Sequence, residues 1–271
     1  MFIASGKDGH LGNLKFKNAL HYEKGAFRKH AGTIIAAAIL DRSGGLFFPP
    51  AEINKKVLNC LAFKKLCCDK NLTYAAIGKF MPKNFEVADK KELLKYLKKF
   101  NPASLAVLKP ARGMCGKDIL IQRPAALSSA KLIPGKKYAL QEFVDTSSGI
   151  KGITKSRHDL RIVIVEGVPI LAHIRTPKKG SLLANVAQGG KIKEIPIRKI
   201  PARVLKTVKN IQKIINRKYF YPLYSIDFGL DEKGKPFVFE LNDQIGFPRE
   251  NMRGAKHFTE ALILSLKKRA S

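Results

Sequence analysis

The residues best placed to do chemistry are two acids and an amide near the C-terminus. In Leu223-Tyr-Ser-Ile-Asp-Phe-Gly-Leu-Asp-Glu-Lys-Gly-Lys-Pro-Phe-Val-Phe-Glu-Leu-Asn242, two apolar alternating runs flank Lys233-Gly234, the pattern of a β-hairpin. A two- or four-residue loop centred there pairs positions whose numbers sum to 467. One face then pairs Ile226 with Leu241, Phe228 with Phe239 and Leu230 with Phe237; the other pairs Asp227 with Glu240 and Ser225 with Asn242. A three- or five-residue loop breaks that pairing. Facing carboxylates repel and weaken a sheet, so the pairing predicts a cation between them, with Asn242 adding a third oxygen. Oxygen-only ligands suit Mg²⁺, and Mn²⁺ after it, better than zinc. The competing view is a solvated face whose acids pair with lysines.

A second candidate is Leu108-Lys-Pro-Ala-Arg-Gly-Met-Cys-Gly-Lys-Asp-Ile119. Gly113 and Gly116 let backbone N–H groups approach phosphate oxygens, and Lys109 ends the preceding strand as a point charge. Ala111 stands where a Walker A loop needs glycine, so this is a different device, or a plain turn. Cys115 has no His or Asn partner in sequence and reads as incidental.

These residues need elements to hold them. Helical spacing runs from Lys55 to Ile77, through Ala88 to Phe100 and through Lys199 to Asn216, with a closing helix from Phe258 to Lys268. Strands read at 105–109, 118–122, 138–144, 160–165, 169–174, 223–230 and 236–241, and residues 1 to about 58 read as a strand or two among loops. Hairpin-linked strands mixed with helices argue α+β.

Composition bounds the partners. The 271 residues carry 51 Lys plus Arg against 21 Asp plus Glu, a formal charge of +30, with 45% hydrophobic residues. That is too apolar for a disordered basic tail. No apolar run approaches the roughly 20 residues that span a membrane, and the start lacks a signal-peptide pattern. Four cysteines without a C-x-x-C spacing fit a reducing, cytoplasmic setting. The charge favours polyanions, nucleic acid or ribosome among them; scattered lysines fit simple solubility equally well.

The ordered set of glycine loop, Gln141-Glu-Phe-Val144, Asp159-Leu-Arg161, Arg175, Asn185 with Gly189-Gly190, then Asp227, Glu240 and Asn242 resembles the ATP-grasp ligases. The likeness is to the glutathione-synthetase-like branch and the ligases that add glutamate to a ribosomal protein, over about residues 64 to 265. It implies an α+β fold of two lobes clasping ATP: a short N-terminal region (1–63), a small lobe with the glycine loop (64–140) and a large lobe with the metal-binding hairpin (141–271). By the same resemblance Lys70 and Lys109 reach nucleotide phosphates, and Gly113 and Gly116 form the phosphate lid. Gln141, Glu142, Phe143 and Val144 meet adenine, and Asp145 or Asp159 binds ribose. Asn185 belongs to the ATP site, Arg175 lies near the transferred phosphate, Arg161 faces the substrate, and Asp227, Glu240 and Asn242 hold Mg²⁺. The implied reaction joins a carboxylate to an amine through an acyl phosphate, releasing ADP and phosphate. The substrate would be an amino acid, a peptide or an acidic protein tail. Two alternatives stand beside it: an idle scaffold that binds nucleic acid or the ribosome, and a kinase acting on an alcohol. Three departures from the family pattern are a short N-terminal region, Met114-Cys115 in the loop, and Asp243-Gln-Ile-Gly-Phe-Pro after Asn242.

Overall fold

Alternating apolar residues in consecutive hairpins build two antiparallel sheets, as the α+β reading requires. The computed structural model describes residues 1–4, 6–43, 53–113, 116–184 and 189–271. The first sheet contains β1 (Asn84–Val87), β2 (Ala106–Pro110), β3 (Leu120–Gln122) and β4 (Tyr138–Glu142), in the order β3-β2-β4-β1. The second contains β5 (Asp159–Val165), β6 (Val168–Thr176), β7 (Lys191–Glu194), β8 (Tyr224–Leu230) and β9 (Pro236–Asn242), in the order β7-β6-β5-β8-β9. Ahead of them lie several two- to four-residue strands, three of which (Phe2–Ile3, Leu20–Glu23, Ala26–Lys29) share a small sheet.

The helix expected from Lys55 to Ile77 is broken. A short strand, Val57–Leu58, precedes α1 (Leu61–Cys68), and Asp69 separates it from α2 (Lys70–Ile77). Asp69 is extended, and its Oδ1 accepts from Asn71 and Leu72 N–H, so it caps a new helix instead of continuing the old one. In α3 (Lys90–Leu97), Asp89 caps the start by accepting from Glu92 N–H at 2.8 Å. Leu93 and Leu97, one turn apart, point into the first sheet's core.

The second sheet is covered unequally. On one face, Leu160, Ile162, Ala172, Ile174, Ile226 and Phe228 pack against Val204, Val208, Ile211 and Ile215 of α4 (Ala202–Lys218). On the other, Val163, Leu171 and Leu223 lie under Phe258 and Leu262 of α5 (Ala255–Ala270). Strand side chains alternate between faces. Moving two and four residues along the strands from that apolar patch therefore brings Asp159, Arg161, His173, Arg175 and Asp227 onto the same face, beyond α5. Two anchors hold the surroundings. Arg269 donates to Glu166 Oε1 and to the carbonyls of Phe220 and Tyr221. Buried Lys64 donates to Asp243 Oδ2 and the Ser43 carbonyl, each at 3.1 Å, tying the N-terminal region to the hairpin's end.

The hairpin keeps the expected pairing only in part. Ser225–Asn242, Ile226–Leu241 and Asp227–Glu240 face one another as the sum of 467 requires. Nearer the turn, Phe228 pairs with Val238 and Leu230 with Pro236, displacing the expected partners Phe239 and Phe237. The five residues Asp231–Lys235 form the loop, whose ends meet through Asp231 N–H to the Lys235 carbonyl and whose turn is tied by Asp231 Oδ1 accepting from Lys233 and Lys235 N–H. That loop alone would have shifted Asp227 opposite Phe239. A bulge between Asp227 and Phe228 absorbs one residue of β9 and restores the acids to each other. Val238, not Phe239, takes the core position.

Candidate active site

The register of four strand pairs sets Glu240, Asp227, Arg161, His173 and Glu194 side by side across all five strands. Arg161 forks onto Asp227: Nε donates to Oδ1 and Nη2 to Oδ2, both at 2.6 Å. Arg175 Nη2 donates to Asp227 Oδ2 at 2.7 Å and to Asp159 Oδ2, and Asn242 Nδ2 donates to Asp227 Oδ2 at 3.2 Å. Burial alone would raise the Asp227 pKa; the two guanidiniums overcome it and hold the carboxyl ionised, well below the usual range. Asp159, also buried but with Asp227's charge beside it, is pushed up to about 7 despite Arg175. Burial, then Arg161 and Arg175, press His173 down to about 4.

This corrects one premise of the sequence reading. The facing acids do meet, yet their repulsion is relieved by protein cations: Asp227 by two arginines, Glu240 by Lys70, whose Nζ lies 3.6 Å from Oε1. Arg161, expected to face substrate, is turned onto Asp227.

Helix α2 and the first sheet supply the opposing wall. Lys70, in the first turn of α2, donates to the Gly113 carbonyl at 3.1 Å. Lys109, on β2, is buried and donates to Gln141 Oε1 on the neighbouring β4 at 2.9 Å. Its pKa falls from 10.5 to about 8, through burial first, with Glu240 opposing and Lys70 adding to the fall. Lys70, Lys109, Gly113, Gln141, Glu240, Asp227 and Asn242 are thus brought together. Gly113 presents a carbonyl here, and Gly116 takes the positive φ of +67° that glycine tolerates.

Glu142 is exposed, and Phe143 and Val144 are half-buried, so the segment between the two sheets stays accessible. Of the two ribose candidates, Asp159 is occupied by Arg175, whereas Asp145 is exposed and pairs with Arg157 at 2.8 Å. Asn185, Met114 and Cys115 lie outside the described residues. Sequence reasoning missed the Arg161–Asp227–Arg175 linkage, the His173 position and the Lys64–Asp243 contact. No local signal could have found them, because their partners lie on different strands or helices.

The donor set fits a hard divalent cation. Asp227 and Glu240 bring carboxylate oxygens and Asn242 an amide whose Nδ2 faces Asp227 and whose Oδ1 would be its ligand atom; among the described residues Asp227 Oδ1 accepts only from Arg161 Nε, and Glu240's side chain is 32% exposed and held by Lys70 at a loose 3.6 Å. Among the described residues no cluster of three or more His, Cys, Asp or Glu forms an alternative metal site, and no helix is long and apolar enough to cross a membrane.

Solved structures share this architecture. The ATP-grasp ligase PsnB, complexed with a minimal precursor, Mg and ADP, aligns at TM-score 0.53 and 14% identity, over 77% of this chain and 62% of PsnB. D-cycloserine synthetase DcsG aligns at 0.57 and 17%, over 78% and 74% of the two chains. A RimK domain ATP-grasp protein from Sphaerobacter thermophilus aligns at 0.56 and 13%, over 86% and 81%. At such identities the likeness is one of fold, and the chain spans less than two thirds of PsnB's length. No curated protein sequence matches the chain. Residues 70–219, more than half of the 271, match the family described as prokaryotic glutathione synthetase, ATP-grasp domain, and the chain belongs to that family.

Proposed function

We propose that the protein is an ATP-dependent ligase that joins a carboxylate to an amine, with ADP and phosphate as products. The observation that carries this reading is the convergence of Lys70, from α2, and Lys109, from the first sheet, on the Glu240–Asp227 pair of the second sheet. Residues 64–140 then act as the small lobe and 141–271 as the large lobe, with residues 1–63 as the short N-terminal region.

Bringing two anions together, a carboxylate and a triphosphate, is the electrostatic problem such a reaction must solve. Lys70 and Lys109 offer two cations on the phosphate side, and Gln141 fixes the Lys109 ammonium through its hydrogen bond. Glu142, Phe143 and Val144 border the adenine position, and Asp145, being exposed, serves the ribose. Asp227, Glu240 and Asn242 are the residues that would hold Mg²⁺, whose charge would neutralise phosphate oxygens. Arg161 and Arg175 are oriented by Asp227 before substrate arrives, so their remaining N–H groups can meet charge developing on the acyl phosphate and oxyanion without reorganisation. Burial strengthens these interactions relative to water. No side-chain nucleophile is needed.

The test is ADP release across panels of amino acids and acidic peptides with Mg²⁺ present. Release that requires both a carboxylate and an amine supports the reading. Release that requires an alcohol and yields a phosphate ester replaces it with a kinase. Absence of Mg-dependent ATP binding refutes both.

A further inference from the structure

Helix α4 is built against its own electrostatics. Its 17 residues include Arg203, Lys206, Lys209, Lys213, Arg217 and Lys218 and no acid. The first five project from one side, all exposed, while Val204, Val208, Ile211 and Ile215 bury the opposite side against the second sheet. At 100° per residue those five cations fall within about a third of the helix circumference and span about 21 Å. Like charges three and four residues apart repel, and Arg203 and Lys206 sit near the positive end of the helix dipole. Neither the packing nor the fold benefits. Among the ion pairs formed by described residues none involves these side chains, and the one polar contact is Arg203 to the Lys233 carbonyl. Local choices that weaken a helix without serving its core mark a binding surface.

We infer that this outer face of α4 grips a single-stranded nucleic acid through its phosphates. The cations recur every 4.5–6 Å or so along the axis. A phosphodiester strand carries a charge about every 3.4 Å when stacked, and further apart when stretched. A flexible single strand can follow this straight row, whereas a duplex backbone curves away from it. A protein partner needs apolar or aromatic anchors at the centre of its interface; this face has none, and it has no ring on which to read bases. Binding is therefore insensitive to sequence and steeply salt-dependent. The face lies on the side of the second sheet opposite Asp227 and Arg161, so it is separate from the ligase site and does not depend on that assignment.

The experiment measures fluorescence anisotropy of a labelled 20-nucleotide oligo(U) against salt. The variant Lys206→Gln/Lys209→Gln/Lys213→Gln keeps good helix formers. A control of equal charge, Lys91→Gln/Lys95→Gln/Lys98→Gln, removes three exposed lysines on and just after α3. Each lost phosphate contact reduces the slope of log K against log salt by about 0.7, so the α4 variant loses about 2 units and the control loses little. Between 50 and 200 mM salt, that difference in slope is about 20-fold in affinity. Equal losses in both variants overturn the inference, because total charge then suffices. So does stronger binding of a 20-base-pair duplex or of polyglutamate than of oligo(U), or no oligo(U) binding by the unmodified protein.

Discussion

Glu240→Gln separates a working carboxylate from a structural one. The side chain is 32% exposed, and its cation, Lys70 Nζ, stands at 3.6 Å, beyond hydrogen-bond range. A pair that open contributes at most about 1 kcal/mol to folding once solvent screening is allowed for. Asp227 is a different matter. It is buried and takes four hydrogen bonds from Arg161, Arg175 and Asn242, so Asp227→Ala strands two guanidiniums and costs about 3–5 kcal/mol. Loss of activity in Asp227→Ala therefore says little about mechanism. Glu240→Gln should melt within a few degrees of the parent yet lower ADP release by about 10²–10³, equivalent to about 2.7–4 kcal/mol of transition-state stabilisation. Coupled-enzyme ADP detection over a Mg²⁺ titration, beside thermal melts, measures both. If kcat/KM for Glu240→Gln stays within threefold of the parent at every Mg²⁺ concentration, the Asp227–Glu240 pair is only an ion network, and the metal assignment fails.

Lys109 gives the pH signature. Its folded pKa of about 8 lies below the ordinary 10.5, so folding stability rises with pH between those values while the ammonium itself is progressively lost. Nucleotide binding should then take up close to one proton per site near pH 9, visible as buffer-dependent calorimetric heats, and Glu240→Gln should move the onset below pH 8; buffer-independent heats would refute it. At Gly229 an added Cβ would meet the Phe239 ring at 2.1 Å and Thr146 Cγ2 at 2.7 Å. Gly229→Ala should therefore destabilise by about 1–3 kcal/mol in urea melts and, by pushing on the bulge residue, reduce ADP release more than an equally destabilising change in α5. Arg269→Ala should cost about 2–4 kcal/mol, since it removes a charged hydrogen bond to Glu166 and those to the Phe220 and Tyr221 carbonyls, leaving Glu166, among the described residues, only Ser265 and Lys268. Lys268→Ala, whose side chain is 58% exposed, should cost under about 1 kcal/mol.

Local pattern was enough to place the hairpin that pairs Asp227 with Glu240, the amphipathic helices α3 and α4, and the strand that ends on Lys109, because each rests on side-chain period and neighbouring turn chemistry. The motif order was enough to point to the ATP-grasp family. Local pattern missed the five-residue loop and the compensating bulge, since Phe237 and Phe239 look as suitable for a core as Val238 until the sheet is packed. It ran α1 and α2 together as well, because Asp69 reads as an ordinary polar position until its carboxylate meets the N–H groups of Asn71 and Leu72.

What only the tertiary structure decided is which charges meet. Arg161 and Arg175 lie 66 and 52 residues before Asp227, and Lys70 is remote from Glu240 in sequence. Strand order brings the arginines to Asp227 and the packing of α2 brings Lys70 to Glu240, and no spacing rule encodes either. The sequence supplied the surplus of cations and, by helical spacing, the row on α4; the sheet chose the two that neutralise Asp227, and the packing of α2 chose the lysine that leans on Glu240. Coulombic attraction is strong only at short range and in a dry place, so the fold had to create those distances before the chemistry of these residues could be read.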